Sequence, residues 1–575
     1  MAEEVWMVRT RRADFDRIGR TFHIDPVTAR IIRNRGVEGD AQIDRYLNGT
    51  LEDLYDPGLL FDLERGADLV LEAIRAGRQI RIIGDYDIDG VCATYLLFTA
   101  FQRLGARADY DIPDRIRDGY GINESMIERA RADGIEVIVT CDNGIAAGGP
   151  IGLAKQNGMT VVVTDHHEVP SGAGGEILPA ADAIIDPRQS RCHYPFPEIC
   201  GAVVAWKLIA RLYEKGGVAR EEWLDLLPFA AIATVGDVMR LQDENRILVR
   251  FGLQRLAGIR NPGLRKLAEK NNLDLSRITA YHIGFVIGPC LNAGGRLKTA
   301  RLALELLLAK EEETADRLAG QLKELNDSRK DMTEQGTAAA KLQVETWYRD
   351  DRVLVVFLPE CHESLAGIIA GRLREAYHRP AIVLTRGEEA VKGSGRSIEA
   401  YHMFDRLSEV SDLMLKFGGH PMAAGLSLRE DRIGEFRRRL NENAGLTEED
   451  LRETVWIDVP MPLGYVTEKL VKELRCLEPF GQGNEKPLFA ERDLRIRSSR
   501  VMGKNRNVVR LVLEEKSGYA MEALYFGDGI AFEEERAGRS RIDIVYYPDV
   551  NEYNGTRTLQ AVIRRFRFRN EEMAQ

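Results

Sequence analysis

From Gln79 onward, short apolar runs alternate with stretches of helical period, the pattern of βαβ units around a parallel sheet. Four runs lead into a carboxylate. Ile80–Gly84 precedes Asp85, Val137–Cys141 precedes Asp142, Val161–Thr164 precedes Asp165, and Phe229–Val235 lies just before Asp237. The fourth fits a strand or a buried helix equally, because periodicity alone does not separate them. No proline lies between Pro289 and Pro359, and leucines recur at helical spacing (Leu304, Leu307, Leu308; then Leu318, Leu322, Leu325). One long connector helix is therefore expected from Leu302 to about Trp347. A second αβ block follows, with strands expected at Val353–Leu358 and Ala381–Leu384 around a helix at Leu365–Tyr377. From about Leu451 the pattern turns to short strands and turns, as in a small all-β barrel. The expected layout is an N-terminal helical segment (1–55), a first αβ domain (56–300), a connector helix (301–348), a second αβ domain (349–447) and a β domain (448–575).

The chain has 575 residues, with 80 Lys and Arg against 90 Asp and Glu, a formal charge of −10. A uniformly basic surface is excluded, so any nucleic-acid contact must come from local patches. No apolar run is long enough for a membrane span, and the opening MAEEVWMVRT has no apolar signal core. Seven scattered cysteines fit a reducing compartment, so the cytoplasm is expected. Cys192, His193 and Cys200 lack the paired spacing of a zinc site. The single Gly-Lys pair, Gly503-Lys504, is followed by Asn505, so there is no Walker A loop, and no G-x-S-x-G elbow occurs.

The chemistry gathers at the strand ends. Asp85, Asp87 and Asp89 alternate in DYDIDG, where an α/β sheet presents its ligand crevice. An EF-hand loop also begins D-x-D-x-D-G, but it requires a Glu at its twelfth position, and the residue here is Leu96. Asp165-His166-His167 follows another strand, and Asp142 and Asp237 bring two further carboxylates toward the same edge. Carboxylates that close repel unless they are protonated or bind cations. Oxygen donors with one imidazole suit Mn²⁺ or Mg²⁺, and such a site suits two-metal phosphoester hydrolysis. Gly393 to Ser397 (GSGRS) and Gly418 to Gly425 (GGHPMAAG) can offer backbone N–H groups to phosphate, and Arg396 a guanidinium fork. Arg115, Tyr120 and Arg296 are further candidate contacts. Near the end, Arg565, Arg567 and Arg569 alternate with Phe566 and Phe568. On a strand the arginines share one face, either solvated or set against a nucleic-acid backbone.

These residues together resemble the DHH phosphoesterase superfamily. Asp85-Tyr-Asp-Ile-Asp-Gly, Asp142, Asp165-His-His and Asp237 are similar to its four motifs, and Gly418-Gly-His-Pro to the signature of its associated second domain. The motif order, the connector and the terminal β domain, with IPDR, DGYG, LNAGGRL, KGSGRS and YPDVNEYNG, resemble the branch that digests single-stranded DNA from its 5′ end. The resemblance runs from about residue 60 to 565. It implies an α/β architecture of two αβ domains joined by a long helix, plus a C-terminal OB-fold.

The resemblance also implies residue roles. Asp85, Asp87, Asp89, Asp142, His166 and Asp237 would hold two divalent ions, and His167 would contact or orient the scissile phosphate. Asp87, Asp142, His166 and His167 would form the catalytic core. Arg115, Ser394 and Arg396 would bind the 5′-terminal phosphate, with Tyr120 and Ser397 beside them. Arg296 would line the strand path, and Gly418, Gly419 and His420 would grip the nucleotide. The implied activity is metal-dependent 5′→3′ hydrolysis of single-stranded DNA to 5′-mononucleotides in repair and recombination, with a single-strand-binding protein and a helicase as expected partners and no membrane. The chain departs from the branch at His362-Glu363-Ser364, where His-Pro-Gly is usual. Two rival readings stand beside this one: a superfamily phosphodiesterase for short RNA oligomers or cyclic dinucleotides, and an inactive binding scaffold. A strand-tracking barrel is of no use to the first, and retention of every proposed ligand argues against the second.

Overall fold

The computed structural model describes residues 4–114, 119, 121–387, 389–553 and 555–569. They fall into two compact units. The first holds Tyr55–Met239 and Leu248–Glu453; the second holds Val5–Leu54, Arg240–Ile247 and the chain from Thr454 on.

In the first unit, β1 (Gln79–Ile83), β2 (Arg107–Asp111), β3 (Val137–Cys141), β4 (Thr160–Thr164) and β5 (Ala183–Ile185) form a parallel sheet in the order β2-β1-β3-β4-β5. Strand β1 lies between β2 and β3, so the winding direction reverses there. A crevice opens beyond the carboxyl ends of strands at such a switch point. Three helices flank it: α1 (Ile88–Arg103), α2 (Gly201–Gly216) and α3 (Leu227–Gly236). Helix α3 settles the reading of Phe229–Val235. The run is buried and alanine-rich, with Pro228 in the first turn, and it ends on Asp237.

After α4 (Gly288–Leu297) the expected single connector is two helices, α5 (Arg301–Leu308) and α6 (Glu312–Trp347). Ala309 and Glu311 have extended backbone and break the helix without glycine or proline. A Cβ on Gly263 would lie 2.0 Å from the Leu306 carbonyl oxygen, so α5 is pressed against its own neighbour just before the break.

The second αβ domain contains β6 (Leu354–Phe357), α7 (Ala366–Tyr377), β7 (Ala381–Arg386), β8 (Val391–Arg396), β9 (Met414–His420) and β10 (Ala423–Leu428). The sheet order is β9-β10-β8-β7-β6, and only β6 and β7 run parallel.

The second unit is built on a closed barrel. Its strands are β11 (Phe489–Met502), β12 (Val508–Glu514), β13 (Ala520–Phe526), β14 (Arg541–Tyr553) and β15 (Thr556–Arg569). The ladder runs β11-β12-β13-β15-β14, and β14 pairs back onto β11. The strands are longer than the sequence pattern indicates. The N-terminal residues belong to this unit. Strand Glu4–Val8 pairs with Glu453–Ile457, and Ile18, Ile31, Ile32 and Ile43 share one core with Phe489, Leu511 and Tyr546. In β15, Phe566 and Phe568 pack on that core. Two of the alternating arginines are engaged within the unit: Arg569 bonds Asp543 at 2.6 and 3.0 Å, and Arg567 lies 4.3 Å over the Trp6 ring. Among the described residues, no helix is long and apolar enough to cross a membrane.

Candidate metal centre

The ends of β1, β3 and β4, the start of α1 and the end of α3 bring their carboxylates and imidazoles to one crevice. Asp87 caps α1, and its Oδ1 accepts the N–H groups of Asp89 and Gly90 at 2.9 and 3.1 Å. A Cβ on Gly90 would lie 2.5 Å from the Asp85 carbonyl oxygen, so only glycine lets this loop fold back on itself. Asp89 is held from a distant part of the chain. The N–H groups of Gly201 and Ala202, at the start of α2, donate to its two oxygens at 2.7 and 2.8 Å. Gly201 also lets α2 approach β3, because a Cβ there would lie 2.7 Å from the Asp142 Cβ. Asp142 itself sits at φ 61°, in the left-handed region that few non-glycine residues adopt.

Three groups have all their donor atoms within 4.8 Å of one another: Asp85, Asp87 and Asp142; Asp89, His166 and Asp237; and Asp142, His166 and His167. The groups meet where the His166 Nε2 stands 3.1 Å from Asp142 Oδ1, 3.5 Å from Asp89 Oδ2 and 3.8 Å from Asp237 Oδ2. The structure therefore brings together all six residues expected to hold ions. Burial and then mutual repulsion raise four of these carboxyl groups. Asp85 is pushed up to about 7, Asp237 to about 8, and Asp87 and Asp142 upward as well. Burial pushes His166 down, which leaves its imidazole neutral and able to ligate. Asp85 Oδ1 accepts the Gly121 N–H at 3.2 Å, but its buried Oδ2 has no partner. An orphaned buried carboxylate oxygen among like charges is the signature of a cation position, and an oxygen-rich set with one imidazole fits Mn²⁺ or Mg²⁺.

Asp165 plays a different part. Its Oδ2 accepts the Ile145 N–H at 2.9 Å, and its Oδ1 accepts the His166 N–H at 2.8 Å and stands 2.8 Å from His167 Nδ1. Burial opposes a charge on His167, but the bond and charge of Asp165 outweigh it and hold the imidazole up at about 9. His167 thus stands as a cation with Nε2 on its far side.

In the second αβ domain, Ser394 and Arg396 lie on β8, where Arg396 Nη1 donates to Ser394 Oγ at 3.1 Å and to the Gly395 carbonyl at 2.8 Å. The open glycine Gly367 at the start of α7 faces both: a Cβ there would lie 2.8 Å from Arg396 Nη2. Gly418, Gly419 and His420 are exposed on the edge strand β9, and His420 Nδ1 accepts the Met422 N–H at 3.3 Å. Arg296, on α4, donates to the Ser364 carbonyl at 3.1 Å. The loop that lacks Pro-Gly is shaped instead by His362, whose Nδ1 accepts the Ser364 N–H at 3.3 Å. Ser397 does not face this surface. It is fully buried and its hydroxyl donates to the Tyr401 carbonyl at 2.5 Å, so it fixes a turn. Arg115 and Tyr120 lie outside the described residues.

Comparison with known proteins matches the domains of the fold. The model of the DHH family N-terminal domain matches residues 79–232, the DHHA1 domain 350–445 and the RecJ OB domain 457–565. The single-stranded-DNA-specific exonuclease RecJ of Dickeya dadantii is 36% identical over 567 residues, covering 93% of this chain and 94% of the relative. The chain belongs to the RecJ family. RecJ of Escherichia coli is 34% identical over 94% of this chain and 95% of its own length. The crystal structure of RecJ from Thermus thermophilus in complex with Mn²⁺ superposes with a TM-score of 0.84 at 27% identity, over 99% of this chain and 80% of that one. A Mg²⁺ complex of the same protein superposes at 0.79.

Proposed function

We propose that the chain is a metal-dependent exonuclease that removes 5′-mononucleotides from single-stranded DNA. The observation that carries this reading is the convergence of Asp85, Asp87, Asp89, Asp142, His166 and Asp237 around an unpartnered buried oxygen, in a chain whose relatives are single-stranded-DNA-specific exonucleases over nearly their whole length. Those six residues would hold two Mn²⁺ or Mg²⁺ ions. Ions there supply positive charge against the phosphate and make a water acidic enough to attack phosphorus near neutral pH.

The protein's own groups do the rest. Asp165, its oxygens occupied, orients His167, so that Nε2 can contact a non-bridging phosphate oxygen. Ser394 and Arg396 would take the 5′-terminal phosphate, which sets polarity by fixing one end of the strand. His420 and the Gly418-Gly419 backbone would hold the nucleotide, Arg296 would line the path, and the barrel would bind the strand beyond. A phosphodiesterase for short oligomers or cyclic dinucleotides has no use for that barrel. The setting we propose is cytoplasmic repair and recombination, with a helicase and a single-strand-binding protein as partners.

The test uses single-stranded DNA of about thirty nucleotides, labelled at its 3′ end, with Mn²⁺. A ladder shortening from a free 5′ end, absent with a blocked 5′ end, with blunt duplex and with Asp87→Ala/His166→Ala, is expected. An intact strand, with hydrolysis of dinucleotides instead, would overturn the reading.

A further inference from the structure

Helix α4 continues a helical run that begins earlier, with a short helix at Ala280–His282 and one wide π-helical turn at Ile283–Ile287. Pro289 accounts for the wide turn. It brings no N–H to the Phe285 carbonyl four residues back, and its ring crowds that carbonyl. Two glycines set how the run packs. A Cβ on Gly284 would lie 3.8 Å from Val235 Cγ1 on α3, and one on Gly288 would lie 3.3 Å from Ile88 Cδ1. Both neighbours adjoin the metal centre: α3 ends on Asp237, and Ile88 stands between Asp87 and Asp89.

This run leaves two aromatic side chains in water. Tyr281 is 64% exposed and Phe285 66%, and their rings stack with centroids 4.8 Å apart and planes 27° apart. His282 braces the pair. Its Nδ1 accepts the Thr279 N–H at 3.0 Å, and its ring stands edge-on to Tyr281 at 5.9 Å. Val238, directly after Asp237, is exposed as well and adds apolar surface at the end of α3. Phe285 and Arg296 are eleven residues apart, about three helical turns, so they share one side of the run. We propose that Tyr281 and Phe285 form a stacking platform for nucleobases of the single strand beside the metal centre. The inference rests on the function proposed above and names residues that would hold bases rather than phosphates. Every base has a π-face, so such a platform grips any sequence. It also suits its place. A lysine or arginine beside five converging carboxylates would be drawn into them in competition with the ions, whereas an uncharged ring holds a base without that competition.

The experiment measures binding of a fluorescent oligo-dT of about thirty nucleotides, and of an abasic strand of the same length, to the full chain in EDTA over a range of NaCl concentrations. Tyr281→Ala and Phe285→Ala should each weaken oligo-dT binding about tenfold, the order of one lost base stack. Neither should change binding of the abasic strand or the slope of log K against log[salt], because no phosphate contact is lost. Tyr281→Trp should keep the affinity, and the fluorescence it adds should be quenched by oligo-dT and not by the abasic strand. Both side chains face water, so the Tm of the alanine variants should match the wild type. Unchanged oligo-dT binding would overturn the platform. Equal losses on both strands with a lowered Tm would assign the pair a structural role and overturn it too. Self-association of the wild type that Tyr281→Ala abolishes, with oligo-dT binding intact, would make the pair an interface between copies and would equally overturn it. A wild-type chain that neither binds oligo-dT nor shortens it with Mn²⁺ would sink the proposed function and this inference together.

Discussion

Two buried polar clusters in this molecule handle charge in opposite ways. In the second unit, the side chains of Arg35 and Asp458 are 3% and 4% exposed and meet in a bidentate pair at 2.7 and 3.0 Å; the Leu488 N–H also donates to Asp458 at 3.1 Å. Nearby, the fully buried Arg246 gives its guanidinium to three carbonyls, of Tyr46, Leu477 and Cys476, at 3.0, 2.8 and 2.6 Å. Both arginines find an opposite charge or dipole within the protein. In the first unit, five carboxylates converge, and one of their buried oxygens has no partner. The first arrangement closes on itself and ties residues of the N-terminal segment to the barrel. The second is completed only from outside. A buried polar cluster therefore reads as structural or functional by whether its charges balance internally.

The comparison breaks most sharply by substitution. Asp142→Asn should cut Mn²⁺-dependent hydrolysis by more than about a thousandfold, because it removes the carboxylate shared between two donor groups. The same change should raise the Tm measured in EDTA by a few degrees, because one of the crowded charges is gone. Asp458→Ala should do the reverse to its own unit. It leaves Arg35 buried without a counterion and should lower stability by about 3–5 kcal/mol, measured by urea unfolding. If Asp458→Ala proves harmless, the cluster in the second unit is not the structural device described.

A smaller effect separates ligand from orienting group inside the metal centre. Asp165 accepts from three backbone N–H groups and bonds His167 Nδ1, so its carboxylate acts through His167. Asp165→Asn should lower hydrolysis about 10- to 100-fold, while Mn²⁺ binding by calorimetry holds. Loss of Mn²⁺ binding would make Asp165 a ligand.

Much of this was legible along the chain, and the gaps have physical causes. Asp85, Asp142 and Asp165 stand out because each ends an apolar strand, and a parallel sheet gathers such ends on one edge. Asp237 reaches the same edge from the end of a helix, which periodicity could not distinguish from a strand. The grip of Gly201 and Ala202 on Asp89 joins positions more than a hundred residues apart, and the run Cys200-Gly201 before an apolar helix was its one local sign. The break at Ala309–Glu311 contains no residue that disfavours helix, so only the packing of α5 reveals it. The pairing of Arg569 with Asp543 was equally hidden, because alternation shows which face an arginine takes but not what waits there.

The mildest test of the comparison is pH. In the metal-free protein, burial and mutual repulsion lift Asp85 to about 7 and Asp237 to about 8, above their ordinary values. An acid whose folded value is raised binds more protons folded than unfolded throughout the interval between the two values. Stability must therefore fall as pH rises across that interval. In EDTA, the Tm of the first unit should drop steadily from about pH 5 to about pH 8.5. Saturating Mn²⁺ should reverse the trend, because ligation requires the carboxylates to lose their protons and cation affinity therefore grows with pH. The second unit supplies the internal control. Its Arg35–Asp458 pair is matched within the protein, so its unfolding, followed separately by urea, should hardly respond to Mn²⁺. If Mn²⁺ shifts both units alike, the uncompensated charge of the metal centre is not what sets them apart.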